Sequence, residues 1–145
     1  MRKFFTLIFL STFLISCQIN STSSNRESDK REAEKITNEF YNYLEKKEFE
    51  NAANLFSEKF FAVTDKDKLY EIFNATLNDC GNLTDFSIVD WSTFVVKGTN
   101  PKSEYLFYYK VSREKKETLE EIGMIKENDS IKIVSYHVSV DRLSA

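Results

Sequence analysis

Apolar residues recur at two different periods along the chain, and the switch between them divides it. Over residues 29 to about 47, Ala33, Ile36, Phe40, Tyr43 and Leu44 fall three and four apart with charged residues between them, which predicts one amphipathic helix with a single buried stripe. A second, shorter helix is expected over residues 48 to about 57, carrying Phe49, Ala52, Ala53 and Phe56 on one side. Phe60-Phe61-Ala62-Val63 reads as a short strand or extended link. Thr64 is expected to cap a third helix by accepting from the Asp67 amide, with Leu69, Ile72, Phe73, Leu77 and Cys80 on one face and Gly81 as the stop.

Beyond Gly81 the texture turns β-branched and aromatic with alternating character. Strands are predicted over residues 83–96, 103–112, 118–127 and 131–140, separated by Gly98-Thr99-Asn100-Pro101, Arg113-Glu114-Lys115-Lys116 and Asn128-Asp129-Ser130. Links this short join antiparallel neighbours, so the strands form a meander. The first strand breaks parity: Phe86 and Ile88 lie on one side, Val89, Trp91 and Val95 on the other. A bulge near Asp90 reconciles them. Helices followed by long antiparallel strands imply an α+β domain, three N-terminal helices packed on a curved four-stranded sheet.

Composition agrees with a packed body. The 145 residues are 41% hydrophobic and 14% aromatic, with thirteen Phe, seven Tyr, three Gly and one Pro. One domain's worth of chain can bury a single sizeable core, and loop-rich or disordered character is excluded. The formal charge is −3, becoming −5 if Arg2 and Lys3 are removed with a leader, and no basic block suits nucleic acid.

The first residues have a different purpose. Arg2 and Lys3 precede an uncharged, mostly apolar run over residues 4–15, the length of a secretory signal and too short for a bilayer span. It closes on Leu14-Ile15-Ser16-Cys17, which resembles the bacterial lipobox. The resemblance implies diacylglycerol on the Cys17 thiol, cleavage on its amino side with Ser16 in the cleavage pocket, and a lipid-anchored envelope protein. Gln18 follows where Asp resembles an inner-membrane retention mark, which favours the outer membrane. The expected organisation is a signal peptide over residues 1–16, lipidated Cys17 and a Ser/Thr/Asn-rich flexible tether over residues 17–28, and the domain over residues 29–145. Cys80 is left without an intramolecular partner and reads as a buried small hydrophobe.

The stretch Phe40-Tyr41-Asn42-Tyr43-Leu44-Glu45-Lys46-Lys47-Glu48-Phe49-Glu50-Asn51-Ala52-Ala53-Asn54-Leu55-Phe56-Ser57 resembles the opening of small cystatin-like cone proteins of the nuclear-transport-factor-2-like superfamily. Bacterial secreted and lipoprotein families are among them. The resemblance extends over residues 29–140 and implies a curved sheet wrapped around the long helix. Enzymes of this superfamily, such as steroid isomerases and dehydratases, hold Asp, Tyr or His inside the cone, where an apolar pocket shifts a carboxyl pKa. None of their catalytic positions transfers to this sequence.

Candidate chemistry is correspondingly sparse. Asp90, beside Trp91, is the best internal carboxylate, although a bulge there also turns it outward. Tyr105, Phe107 and Tyr109 share one strand face as core or, with Trp91, as pocket lining. His137 falls outside if Val134, Tyr136, Val138 and Val140 point inward. Glu117, Glu120 and Glu121, next to Lys115 and Lys116, read as a solvated strand face and lack the spaced oxygen ligands of a calcium loop. Zinc-binding clusters, phosphate-cradling Gly-rich loops and nucleophile elbows are all missing. Asp129-Ser130-Ile131 resembles a short O-glycosylation acceptor of some Bacteroidota. No cofactor is implied. The leading expectation is a non-enzymatic accessory or binding module; an isomerase- or dehydratase-like enzyme using Asp90 with a nearby Tyr, and a structural domain that dimerises through its open sheet face, are the alternatives. Partners are then the membrane through Cys17, and an envelope protein or a second copy.

Overall fold

The structure, a computed structural model, describes residues 20–140. The expected signal peptide and Cys17 lie outside the described residues. The elements run β1 (Ser21–Ser24), α1 (Glu27–Glu45), α2 (Phe49–Ala53), α3 (Glu58–Phe61), α4 (Lys66–Cys80), β2 (Leu83–Lys97), β3 (Lys102–Arg113), β4 (Thr118–Glu127) and β5 (Ser130–Val140). All five strands pair antiparallel in sequence order. Helices cover the inner face of this α+β sheet.

Four strands and their turns lie where alternation and turn chemistry put them. Asn128 and Asp129 both adopt positive φ, the conformation a tight hairpin requires and that Asn and Asp tolerate best after glycine. The expected bulge is present: pairing with β3 shifts between Ile88 and Asp90. Val89 and Asp90 therefore both face outward, and Trp91 returns to the inner parity opposite Phe107. A second shift, between Gly123 and Met124 on β4, leaves Val134 as the extra residue on β5.

Four helices and five strands stand where three and four are expected, and α2 ends at Ala53 rather than near residue 57 because the Leu55 carbonyl and the Ser57 amide bond to Ile133 of β5. The chain departs from expectation in three further places. Residues 58–61 form a helical turn, α3, where a strand or link is expected, because the Ser57 hydroxyl caps it by accepting from the Lys59 amide at 3.1 Å. Asp65 rather than Thr64 is the N-cap of α4, and no side chain bonds its open amides. Gly81 does end that helix, at φ +86° with the Glu114 side chain packed where a Cβ would stand. The third departure is in the tether. Ser21–Ser24 is a strand on the β2 edge and α1 starts at Glu27, before residue 29. The polar Ser/Thr composition that suggests a linker also suits an edge strand with little to bury.

The core lies between α1 and the inner face of β2 to β5. Phe40, Tyr41, Phe56, Phe60, Phe73, Tyr105, Phe107, Tyr109 and Tyr136 are all buried. Tyr41 on α1 stacks on Phe86 with centroids 4.5 Å apart and meets Tyr109 edge-on at 4.9 Å. Phe40 meets Tyr136 at 5.2 Å and Phe73 at 5.9 Å. Such pairs add about 0.5–1.5 kcal/mol each beyond their area burial, so they fix α1 against the sheet. Thr37 donates to the Glu34 carbonyl, which leaves the Tyr109 hydroxyl as donor in its 2.5 Å bond to Thr37.

Candidate functional site

Two places gather titratable groups, one inside the cone and one outside. The inner one is built by parity along β4: Thr118, Glu120, Ile122 and Met124 alternate inward, carrying Glu120 into the core beneath the helices. This corrects the reading of Glu120 as part of a solvated acidic face. Glu121, of opposite parity, does face outward, and Glu117 pairs with Lys110 at 3.0 Å. Two residues of separation from Ile122 on a half-buried strand carry the signal that places Glu120 inside.

Glu120 accepts three hydrogen bonds. Its Oε1 accepts from Arg113 Nη2 at 2.7 Å and Thr118 Oγ1 at 2.8 Å, and its Oε2 accepts from the Tyr136 hydroxyl at 2.8 Å. The Arg113 and Glu120 side chains are 5% and 0% exposed, so three strands meet in one desolvated ion pair. Tyr41 lies close by with its buried hydroxyl unpartnered. Burial, and then the negative charge of Glu120, push the pKa values of Tyr41 and Tyr136 well above the usual tyrosine range. Burial does the same to Tyr109.

The space beside this cluster is slight. A void of about 10 Å³ lies between Leu44, Phe49, Phe73, Leu83, Arg113 and Tyr136, room for about one water molecule. Tyr105, Phe107 and Tyr109 are fully packed, while Trp91 is half-buried at the margin with the Lys30 ammonium 5.7 Å from its ring centre. A carboxylate bound by three fixed donors from three strands, beside a void the size of one water, holds those strands together.

The outer site follows from the bulge at Val89. Asp90, Tyr108, Glu121 and His137 form one cross-strand row over β2, β3, β4 and β5 on the solvent face. With Val89, Leu119 and Ser139 they line an open groove of about 400 Å³. Val89, Tyr108 and Leu119 are 56%, 36% and 42% exposed, an apolar floor edged by two carboxylates. Glu121 and Asp90 help to raise the Tyr108 pKa after desolvation. Asp90 accepts from the Trp91 amide at 2.8 Å, and its carboxylate is exposed rather than internal.

His137 is exposed, as its parity predicts, but the inward set on β5 differs in part from expectation. Ile131, Ile133 and Tyr136 are buried, Val134 is displaced by the bulge and Val140 is exposed. Cys80 is buried. Among the described residues no group of three or more His, Cys, Asp or Glu is placed to hold a metal, and no helix is long and apolar enough to cross a membrane.

No protein-family model and no curated protein matches the chain. The fold is similar to the crystal structure of a protein of unknown function with a cystatin-like fold from Nostoc punctiforme, at TM-score 0.54 and 19% sequence identity, covering 81% of this chain and 95% of that one. At that identity the likeness is one of fold alone. Five antiparallel strands packed against a long helix, matched in this way, make the chain an α+β protein with a cystatin-like fold.

Proposed function

We propose that this chain is a cell-envelope lipoprotein, held on a membrane by lipid on Cys17, whose cone is a non-enzymatic accessory module that docks a protein partner on its outer sheet face. The observation that carries the second half is the contrast between the two faces. The aromatic core beside Glu120 leaves about one water's room, while the outer face presents a 400 Å³ groove with exposed Val89, Tyr108 and Leu119. The lipobox-like Leu14-Ile15-Ser16-Cys17 supports the first half, and Gln18 after the cysteine supports delivery to the outer membrane.

The isomerase- or dehydratase-like alternative places Asp90 in the apolar interior; its carboxylate lies instead in the open outer groove beside Tyr108, which favours docking over that reading. Self-association through the groove remains a form of docking on the same surface, and sedimentation of the wild type beside Tyr108→Lys separates a second copy from a different partner.

The interior half is tested by a thermal-shift screen of steroids, fatty acids and flavins on the soluble domain begun at Asn20, which keeps β1. No class is expected to raise the melting temperature, because a packed interior gives such ligands no mass-action hold on the native state. A dose-dependent rise abolished by Trp91→Ala replaces this reading with a ligand-binding cone. The anchor is tested by metabolic labelling with a palmitate analogue. Label is expected on the wild type and not on Cys17→Ala, and an equally labelled variant refutes lipidation at this position.

A further inference from the structure

We infer that the anchored domain keeps its β2–β3 turn next to the lipid headgroups, because β1 shortens the tether to a leash. The inference rests on the proposed lipidation of Cys17.

From Asn20 to Asn25, the segment that composition assigns to a flexible linker is fastened to the edge of β2. Ser21 to Ser24 pair with Lys97 to Phe94. Both ends are stapled by asparagine side chains. Asn20 Oδ1 accepts from the Thr99 amide at 3.1 Å, and Asn25 Oδ1 accepts from the Thr93 amide at 3.0 Å while its own amide donates to the Thr93 carbonyl at 3.0 Å. The first staple depends on a glycine: a Cβ on Gly98 would stand 1.8 Å from Asn20 Oδ1, and Gly98 sits at φ +134°. Asn25 adopts φ +52°, which lets the chain turn from the strand into α1.

Reach decides the consequence. If residues 17–28 were free, Cys17 and the start of α1 could separate by roughly 35 Å of extended chain. With Asn20 fixed beside the turn at residues 98–101, only Gln18 and Ile19 intervene, and the anchor lies within roughly 11 Å of that turn. β3 carries the chain from this end to the β3–β4 turn, roughly 40 Å away at strand rise. A lipid held within 11 Å of one end of a body this long keeps that end at the headgroups, and the other end reaches them only if the whole body lies flat, whereas a free tether would let either end approach alone. The placement comes from chain length and not from charge, so it is the same on neutral and anionic bilayers.

The experiment uses full-length, lipidated protein in phosphatidylcholine vesicles containing a headgroup-nitroxide phospholipid. Bimane is placed on Asn100→Cys in the β2–β3 turn or on Lys116→Cys in the opposite turn; Cys80 is buried and does not compete. Quenching at position 100 is expected to exceed that at 116 by about threefold or more, given the separation along β3. Inserting about twelve Gly/Ser residues between Gln18 and Ile19 leaves the fold untouched and is expected to bring the ratio toward one. Equal quenching in the unextended protein overturns the inference, as does a ratio unchanged by the insertion. Intact mass distinguishes the underlying reading: vesicle-bound protein without an acyl mass at Cys17 overturns both the lipoprotein assignment and the leash, whereas an acylated protein with equal quenching overturns the leash alone.

Discussion

Replacing Glu120 with alanine leaves the Arg113 guanidinium, 5% exposed, without its counter-ion, and deprives Thr118 and Tyr136 of the acceptor they share. Removing one partner of a buried pair costs about 3–5 kcal/mol, because the remaining charge keeps its desolvation penalty and loses its compensation. That is a large share of the roughly 5–15 kcal/mol by which domains are stable. At about 3–5 °C per kcal/mol for a domain of this size, the melting temperature should fall by about 10–20 °C. The pair itself need not be worth that much. Glu120→Leu combined with Arg113→Met leaves the same two hydroxyls unpaired as Glu120→Leu alone but no buried charge, so the double variant should be no less stable than Glu120→Leu. Urea denaturation followed by circular dichroism, over the four members of this cycle, gives the coupling directly. A cost below about 1 kcal/mol for Glu120→Ala would falsify the argument, since only a hydrated carboxylate is removed so cheaply.

Two further expectations concern ionisation and backbone. Tyr41, Tyr109 and Tyr136 have folded-state pKa values raised above the ordinary tyrosine value of 10.0. Their contribution to stability is therefore complete below about pH 10 and is lost as pH rises through the folded values, because the unfolded chain releases those protons first. Absorbance at 295 nm should show these tyrosines ionising only as the near-ultraviolet circular dichroism collapses; one smooth titration of all seven near pH 10, with structure intact, contradicts their burial. Gly81→Ala should destabilise by about 1–3 kcal/mol in thermal melts, since φ +86° with ψ −178° belongs to a region occupied almost only by glycine, and the new methyl meets Glu114 Cβ at 2.8 Å. An unchanged melting temperature would show that the chain can pass from α4 to β2 by another route.

What alternation could show, it showed well. The four long strands, their three turns and the bulge before Asp90 are each dictated by residues within a few positions, and local chemistry is what a sequence displays. The errors arose where a distant partner decides. Ser21–Ser24 has no apolar signal, and it becomes a strand because the β2 edge offers it hydrogen bonds some seventy residues later. Glu120 looks like surface by type, yet its parity with Ile122 and Met124 puts it inside, where Arg113 and Tyr136 wait on other strands. Giving parity more weight than residue type would have found it. The outer groove was less legible still, because Asp90, Tyr108, Glu121 and His137 come together only through the register of three strand pairs, and a bulge changes that register by one.

The central claim is that the outer sheet face, and not the cone interior, meets the partner. Photo-crosslinking in intact cells tests it most directly, with p-benzoylphenylalanine in place of Tyr108 in the groove and, as a control, in place of Val63, which is 85% exposed on the helical side. A discrete adduct at position 108, absent at position 63 and lost when Leu119→Glu puts a third carboxylate beside the floor, is the predicted result. Equal adducts at both positions, or adducts at 108 indifferent to Leu119→Glu, would contradict the account.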